Sequence, residues 1–176
     1  MEYINSKEKK LEKKFLEQGY LIFDIENKKS LKKIKFFFDK YVYKKFKNHK
    51  NINDANRLDN FHKLIKQKDL NNFRLDILNE FNSNKIMKRT YYEISKDILN
   101  LIVGNELVMQ NKINLSIQLP NDESSLLSVH SDIWSGDSPF EVVIWLPLVN
   151  CYKSKSMFIL PPQKYKKIHN NFKKFS

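Results

Sequence analysis

The sequence predicts an α+β fold in which a layer of helices packs on an antiparallel sheet or a jelly roll. Through residues 1–105 the apolar side chains recur at three- and four-residue spacing, as they do on amphipathic helices. From residue 106 to 161 they alternate with polar side chains or form short runs, which is typical of strands. The 176 residues, 41% of them hydrophobic, are enough for a single domain with its own core.

The first predicted helix begins at a capping box and ends at a glycine. Asn5 or Ser6 caps its N-terminus, and Glu8 follows three residues after Asn5, as the capping box requires. Gly19 can adopt the left-handed conformation that commonly ends a helix. The run that follows, residues 20–25, is compact and apolar, and it predicts a strand.

Three further helical regions carry aromatic residues along their apolar sides. Ser30 is the predicted cap of the second helix, and a third region covers about residues 58–82, with a break near Asp69 as the alternative. A fourth begins at Ser83 or Asn84 and ends at Gly104. Aromatic residues at helical spacing usually belong to a core, so we interpret these helices as the layer that covers the sheet.

The second half of the chain shows the periodicity of strands. In residues 112–119 apolar and polar side chains alternate without a break, which predicts a half-buried strand. A shorter strand is predicted at 107–110, and two more at 140–148 and 156–160. The polar side of residues 112–119 faces either water or a polar cavity, and the sequence leaves both alternatives open.

The chain carries a net charge of +12 at pH 7, which raises the question of an anionic partner. Its lysines are spread along the sequence, and its only arginines are Arg57, Arg74 and Arg89. Proteins that read nucleic-acid sequence rely on arginine, so we do not expect nucleic acid as a partner. The alternative function is a catalytically inactive basic module that binds an anionic partner such as RNA, through the lysine-rich tail at 164–174.

Neither a membrane span nor a disulfide is predicted. No run approaches 18 consecutive apolar residues, so we expect no membrane partner. The charged N-terminus lacks the apolar segment of a secretory signal. Cys151 is the only cysteine and cannot form a disulfide within the chain, which fits a reducing compartment and predicts a cytoplasmic protein.

The candidate site lies in residues 128–147, which contain His130 and Asp132. In an extended segment, residues i and i+2 point to the same side. An imidazole and a carboxylate would therefore face one cavity, and these are two of the three ligands of a two-histidine, one-carboxylate iron(II) site. The alternative is a surface histidine beside an aspartate that caps a turn.

The same region resembles the iron(II)/2-oxoglutarate-dependent dioxygenases, specifically their phytanoyl-CoA hydroxylase-like branch. The resemblance rests on His-Ser-Asp at 130–132, Trp-Leu-Pro-Leu at 145–148 and Phe-Ile-Leu-Pro at 158–161. Residues 15–23 look like the helix, glycine and strand with which these enzymes open. Residues 134–141 are similar to oxygenases of bacterial carbohydrate and aminoglycoside biosynthesis clusters.

This resemblance implies both a fold and a reaction. The N-terminal helices would pack on a partial double-stranded β-helix, a cupin-like jelly roll, over residues 106–161, and a basic tail would follow at 162–176. The implied reaction is hydroxylation of a small-molecule or carbohydrate-type substrate in a biosynthetic pathway. Iron(II) and 2-oxoglutarate would be the cofactors.

Five site residues follow from the resemblance. His130 and Asp132 would bind the iron, and Trp145 would line the 2-oxoglutarate pocket. Asn114 and Gln118 are further candidates for that pocket, from the polar side of their strand, with an exposed strand face as the alternative.

The sequence departs from the family after residue 161. Enzymes of this kind carry a second histidine ligand there, and then a basic residue that pairs with 2-oxoglutarate. In this chain His169 is the only later histidine, and no arginine follows Arg89. We favour the N-terminal part of a longer oxygenase whose last strands are missing. A degenerate relative without catalysis and a site completed by another chain are the alternatives. An incomplete jelly roll would also expose a sheet edge that favours self-association.

Overall fold

The computed structural model describes residues 5–52, 55–123 and 126–165. Its α-helices in this part of the chain are α1 (Ser6–Gln18), α2 (Lys28–Lys45), α3 (Gln67–Ser83), α4 (Lys85–Glu93) and α5 (Lys96–Ile102). Two 3₁₀ helices cover Phe61–Lys63 and Asp132–Ser135, and residues 162–165 are also helical. None of the helices within the described residues has the length and apolar character needed to cross a membrane.

The chain divides into two compact units. The first consists of Met1–Ile25, Asp97–Leu107 and Cys151–Ser176, and the second of Glu26–Lys96 and Val108–Asn150. The first unit contains α1 and nearly all of α5. The second contains α2, α3 and α4, and also the segment that carries the candidate site.

Helix α1, in the first unit, has the two ends that the sequence predicts. The Asn5 side chain accepts a hydrogen bond from the Glu8 N–H at 2.9 Å, and the Glu8 carboxylate accepts one from the Asn5 N–H at 2.8 Å. Gly19 ends the helix with a φ of 75°, which glycine adopts without steric cost. A Cβ at this position would lie 3.1 Å from Cδ of Pro162, so a larger residue would also meet that ring. The predicted capping box and glycine stop are confirmed.

The strand predicted at residues 20–25 is wrong. This segment has no regular secondary structure, and the side chain of Ile22 is 84% exposed. A strand needs a neighbour to complete its hydrogen bonds, and among the described residues no segment pairs with it. An apolar run alone did not specify such a partner.

An aromatic core holds the second unit together. The Phe81 ring stacks on that of Phe38, with the ring centroids 5.2 Å apart, and the rings of Phe61 and Phe73 lie 4.8 Å apart. Aromatic pairs at these distances stabilise a fold beyond the area that they bury. The prediction that the aromatic stripes form a core is confirmed. The buried apolar residues are Ile34, Phe38, Val42, Ile52, Phe61, Leu64, Ile65, Leu70, Phe73, Ile77, Phe81 and Ile94.

The second helix begins earlier than predicted, because Asn27 rather than Ser30 caps it. The Asn27 side chain accepts a hydrogen bond from the Ser30 N–H at 3.0 Å. Ser30 itself is buried in the first turn, where its hydroxyl donates to the Glu93 carboxylate at 3.3 Å. Both residues favour N-caps, and the sequence prediction chose the wrong one.

The later helices are shorter than the sequence suggested. The region predicted at 58–82 contains only a 3₁₀ helix before α3 begins at Gln67. The region predicted to run to Gly104 is divided at Ile94–Ser95 into α4 and α5. Asn84 does cap α4, since its side chain accepts hydrogen bonds from the N–H groups of Ile86 and Met87 at 3.1 and 3.2 Å.

The predicted partial jelly roll is wrong, because the described residues contain no strand. The alternation nevertheless has a structural counterpart. In residues 112–119 the apolar side chains are half-buried and the polar ones between them are exposed. In residues 141–148 every second side chain is also half-buried, but the exposed ones include Val143 and Trp145. The period-two pattern in residues 112–119 therefore predicted correctly that one side of the segment is half-buried. It did not predict correctly that the segment pairs with another strand. The sheet edge through which self-association was predicted is likewise absent from this part of the chain.

Side chains of the helices take over hydrogen bonds that neighbouring strands would supply. The Asn82 amide bonds to both the N–H and the C=O of Ile113, and the Tyr91 hydroxyl donates to the Ile144 carbonyl at 2.6 Å. Burial raises the pKa of Tyr91 to about 12. Because backbone groups that lose water need a partner, these bonds hold the two segments against the helices.

Candidate functional site

The two residues singled out by the sequence lie together at the start of a short 3₁₀ helix. Nε2 of His130 is 3.5 Å from Oδ1 of Asp132. Ser131, between them, is extended, with φ −121° and ψ 137°, which places its neighbours on one side of the backbone. The expected juxtaposition of imidazole and carboxylate is present without the strand that was expected to create it.

A backbone carbonyl orients the His130 ring. Nδ1 lies 2.6 Å from the carbonyl oxygen of Ser128. A carbonyl oxygen only accepts hydrogen bonds, so Nδ1 carries the proton of this contact, and the neutral ring presents its lone pair at Nε2. Metal-binding histidines commonly have this arrangement, in which the second ring nitrogen donates to a carbonyl or carboxylate.

The turn after the pair fixes the backbone of Asp132. The Asp132 carbonyl accepts a hydrogen bond from the Asp137 N–H at 3.3 Å, and the Gly136 N–H donates to the Ile133 carbonyl at 3.1 Å. Gly136 has a φ of 96°, and a Cβ at this position would meet no atom within 4 Å. Backbone conformation, and not space, therefore restricts this position to glycine.

The pair is open to solvent and is spaced to share a cation. The side chains of His130 and Asp132 are 41% and 54% exposed, and a polar contact this exposed adds little stability in water. Two ligand atoms can share one first-row metal ion, at bonds of about 2.1 Å each, only if they lie less than about 4.2 Å apart. Nε2 and Oδ1 meet that condition, so they fit two positions of the iron(II) implied by the resemblance.

The described residues supply no complete set of metal ligands. They contain no group of three or more His, Cys, Asp or Glu side chains that could hold a metal ion. His49 lies in a turn, where its Nδ1 accepts the N–H of Asn51 at 3.2 Å, and His62 is in the 3₁₀ helix Phe61–Lys63. His169 lies outside the described residues. For this part of the chain the expected jelly roll is wrong, and so is the expectation that the described residues form a metal site by themselves, because only two ligands come together.

The residues predicted to bind 2-oxoglutarate lie on exposed sides of their segments. Asn114 and Gln118 are exposed, and the Trp145 side chain is 45% exposed. A cavity of about 290 Å³ occurs elsewhere in the second unit, and none of the five predicted site residues lines it. Its walls are formed by Lys35, Phe36, Asp39, Ala55, Asn56, Leu58, Asp59 and Leu148.

An arginine that the sequence analysis did not single out organises one wall of that cavity. Nη1 of Arg57 donates to both carboxylate oxygens of Asp39, at 3.0 and 2.9 Å, and Nε donates to the Ile52 carbonyl at 3.2 Å. The guanidinium also lies 5.3 Å from the centre of the Tyr43 ring. Arg57 thus has a structural role, and Asp39 is neutralised by it.

The function of the site has to be argued from its own geometry. Comparison of the chain with protein-family models, curated proteins and solved structures gave no match in any of the three.

Proposed function

We propose that the chain is an iron(II)/2-oxoglutarate-dependent oxygenase, or the N-terminal part of one, in which His130 and Asp132 supply two of the metal ligands. The observation that carries the proposal is the 3.5 Å separation of Nε2 and Oδ1, together with the Ser128 carbonyl that turns Nε2 toward Asp132. The resemblance in residues 128–161 supports the same assignment.

Each residue of the pair has a defined role. His130 binds through the lone pair of Nε2, since Nδ1 is occupied by its hydrogen bond. Asp132 supplies a negative charge that favours a divalent cation at the same place. When bound, iron(II) would supply the activation of dioxygen that couples conversion of 2-oxoglutarate to succinate with hydroxylation of the substrate.

The proposal requires two further groups from outside the described residues. One is a third protein ligand, and the other is a basic group to pair with 2-oxoglutarate. The substrate is proposed to be a small molecule or a carbohydrate-type compound, from the resemblance of residues 134–141. A cytoplasmic location is part of the proposal and is supported by the lone cysteine, Cys151.

Succinate release tests the proposal. We expect the purified chain to form succinate from 2-oxoglutarate in air with added Fe(II), and Asp132→Asn to abolish it. Glu141→Gln is the matched control, because it removes one negative charge from an exposed position of the same segment and leaves the pair intact. Equal succinate release by the two variants would contradict the role of Asp132. A chain that neither releases succinate nor binds a divalent metal would contradict the proposal as a whole.

A further inference from the structure

Helix α2 carries more than half of the net charge of the protein. Its 18 residues include eight lysines and one acidic residue, Asp39, a net charge of +7 in a chain of +12. Helix α3, with 17 residues, has two basic and three acidic side chains. The positive charge of the second unit is thus concentrated on α2, although lysines occur along the whole sequence.

Four of these lysines share one side of α2 with two exposed aromatic rings. The opposite side holds Ile34, Phe38 and Val42, which are buried in the core. Phe36 is 63% exposed and Tyr43 is 47% exposed. Residues three, four and seven positions apart lie on the same side of a helix. By this spacing six exposed residues of α2 lie on one side, which we call the basic–aromatic face. It consists of Lys29, Lys32, Lys33, Phe36, Lys40 and Tyr43.

The neighbouring carboxylates do not neutralise this face. Asp39, at its edge, is bound by Arg57 through both oxygens. This leaves Asp59, in the cavity beside Phe36, as one carboxylate near four lysines. Among the described residues no ion pair involves the four lysines of the face. The Lys40 ammonium lies 5.9 Å from the centre of the Phe36 ring, so cation and ring are presented together.

We propose that the basic–aromatic face binds single-stranded nucleic acid. Lysine ammonium groups contact phosphates irrespective of sequence, and exposed aromatic rings stack on unpaired bases. The helix is about 27 Å long, which gives several phosphates and bases room along it. The face itself contains no arginine, and the neighbouring Arg57, which lies 5.3 Å from the centre of the Tyr43 ring, is bound to Asp39. This disfavours reading of base edges in a duplex groove. This inference is independent of the proposed oxygenase site, and it departs from the expectation that nucleic acid is not a partner.

The packing of α2 favours nucleic acid over an anionic membrane. A helix that binds a membrane surface inserts its apolar side between the lipid headgroups. The apolar side of α2 is occupied by the protein core, and the exposed side offers two rings among lysines. Each of these rings can stack on one base by itself, whereas membrane insertion requires a continuous apolar surface.

Fluorescence anisotropy with a labelled single strand of about 16 nucleotides tests the proposal. The test variant Lys29→Gln/Lys33→Gln/Lys40→Gln is compared with Lys7→Gln/Lys10→Gln/Lys14→Gln, which removes the same charge from exposed positions of α1. We expect binding that weakens as salt rises from about 50 to 200 mM, with a log–log slope reduced by about two in the α2 variant only. Phe36→Leu, which keeps an apolar side chain but removes the ring, should weaken binding roughly tenfold. Circular dichroism of each variant verifies folding.

Three results would overturn the inference. One is equal weakening by the α1 and α2 triple variants, which would make total charge responsible. Another is binding of a duplex of the same length as tightly as the single strand, because stacking on unpaired bases would then have no role. The third is binding to phosphatidylserine vesicles without binding to the labelled strand, which would assign the face to a membrane.

Discussion

The side chain of Asn82 binds both backbone polar groups of Ile113. Its Oδ1 accepts the Ile113 N–H at 2.7 Å, and its Nδ2 donates to the Ile113 carbonyl at 2.9 Å. A neighbouring strand offers a residue the same two bonds. One side chain at the end of α3 thus takes the place of a strand at the beginning of the segment 112–119.

Loss of this amide should destabilise the second unit. We expect Asn82→Ala to lower the free energy of unfolding by about 1–3 kcal/mol, because it leaves part-buried backbone groups without partners. Urea denaturation measures the change. Asn72→Ala, at an exposed position of the same helix, should change the stability by less than about 0.5 kcal/mol. A similar loss in both variants would show that the bonds to Ile113 do not matter.

Tyr91 should make stability depend on alkaline pH. Burial raises its pKa to about 12, whereas the phenol of the unfolded chain ionises near pH 10. The folded state keeps its proton to higher pH, so this contribution is complete below about pH 10 and is lost between about pH 10 and 12. We expect Tyr91→Phe to lose stability relative to the wild type at pH 9, and the difference to shrink toward pH 12.

The comparison of Tyr91→Phe with the wild type needs a second tyrosine variant as a control, because lysines also titrate between pH 9 and 12 and affect the stability of every variant. Tyr43→Phe changes an exposed ring and should follow the wild type in urea denaturation from pH 9 to 12. A Tyr91→Phe curve that stays parallel to the wild-type curve over that range would contradict the assigned cause.

Phe81 should be among the costliest core positions. Its side chain is 2% exposed, and its ring lies 5.2 Å from those of both Phe37 and Phe38. We expect Phe81→Ala to destabilise the fold by about 3–5 kcal/mol, since it removes the ring and leaves a cavity. Leu75→Ala on the exposed side of α3 is the control and should cost under about 1 kcal/mol. Thermal unfolding that ranks Leu75 above Phe81 would contradict this packing.

Gly136 should support the site through the backbone alone. Alanine at its φ of 96° costs roughly 1–2 kcal/mol in conformational energy, which a short 3₁₀ helix can relieve by changing the turn that positions Asp132. We expect Gly136→Ala to weaken divalent-metal binding severalfold, as measured by calorimetric titration. The matched variant Gly104→Ala also has a left-handed φ and open space around it, but it lies in the first unit and should bind as the wild type does. Weakening by both variants would point to a global effect.

Local features of the fold were predictable from the sequence, but the contacts between distant segments were not. Asn5 and Gly19 mark the ends of α1 through bonds to residues three or four positions away, which a sequence pattern contains. The alternation in residues 112–119 reported which side chains are half-buried. It could not report whether the covering partner is a strand or, as with Asn82, a helix side chain, because that depends on residues far apart in the chain.

The candidate site shows the same division. The spacing of His130 and Asp132 led to the expectation that their side chains share one side, and the structure places them 3.5 Å apart. The role of the Ser128 carbonyl depends on the path of the backbone, which no residue pattern specifies. The basic–aromatic face was missed because charge was considered over the whole chain and not around the circumference of α2.

The proposed function requires that His130 and Asp132 bind one divalent metal ion. Titration of the metal-free chain with Co(II), followed by its visible absorption, tests it most directly, because Co(II) occupies sites of this kind without oxidation in air. We predict one ion bound per wild-type chain, binding at least tenfold weaker in Asp132→Asn, and unchanged binding in Glu141→Gln. Absence of binding by the wild type, or equal affinity in Asp132→Asn, would contradict the claim.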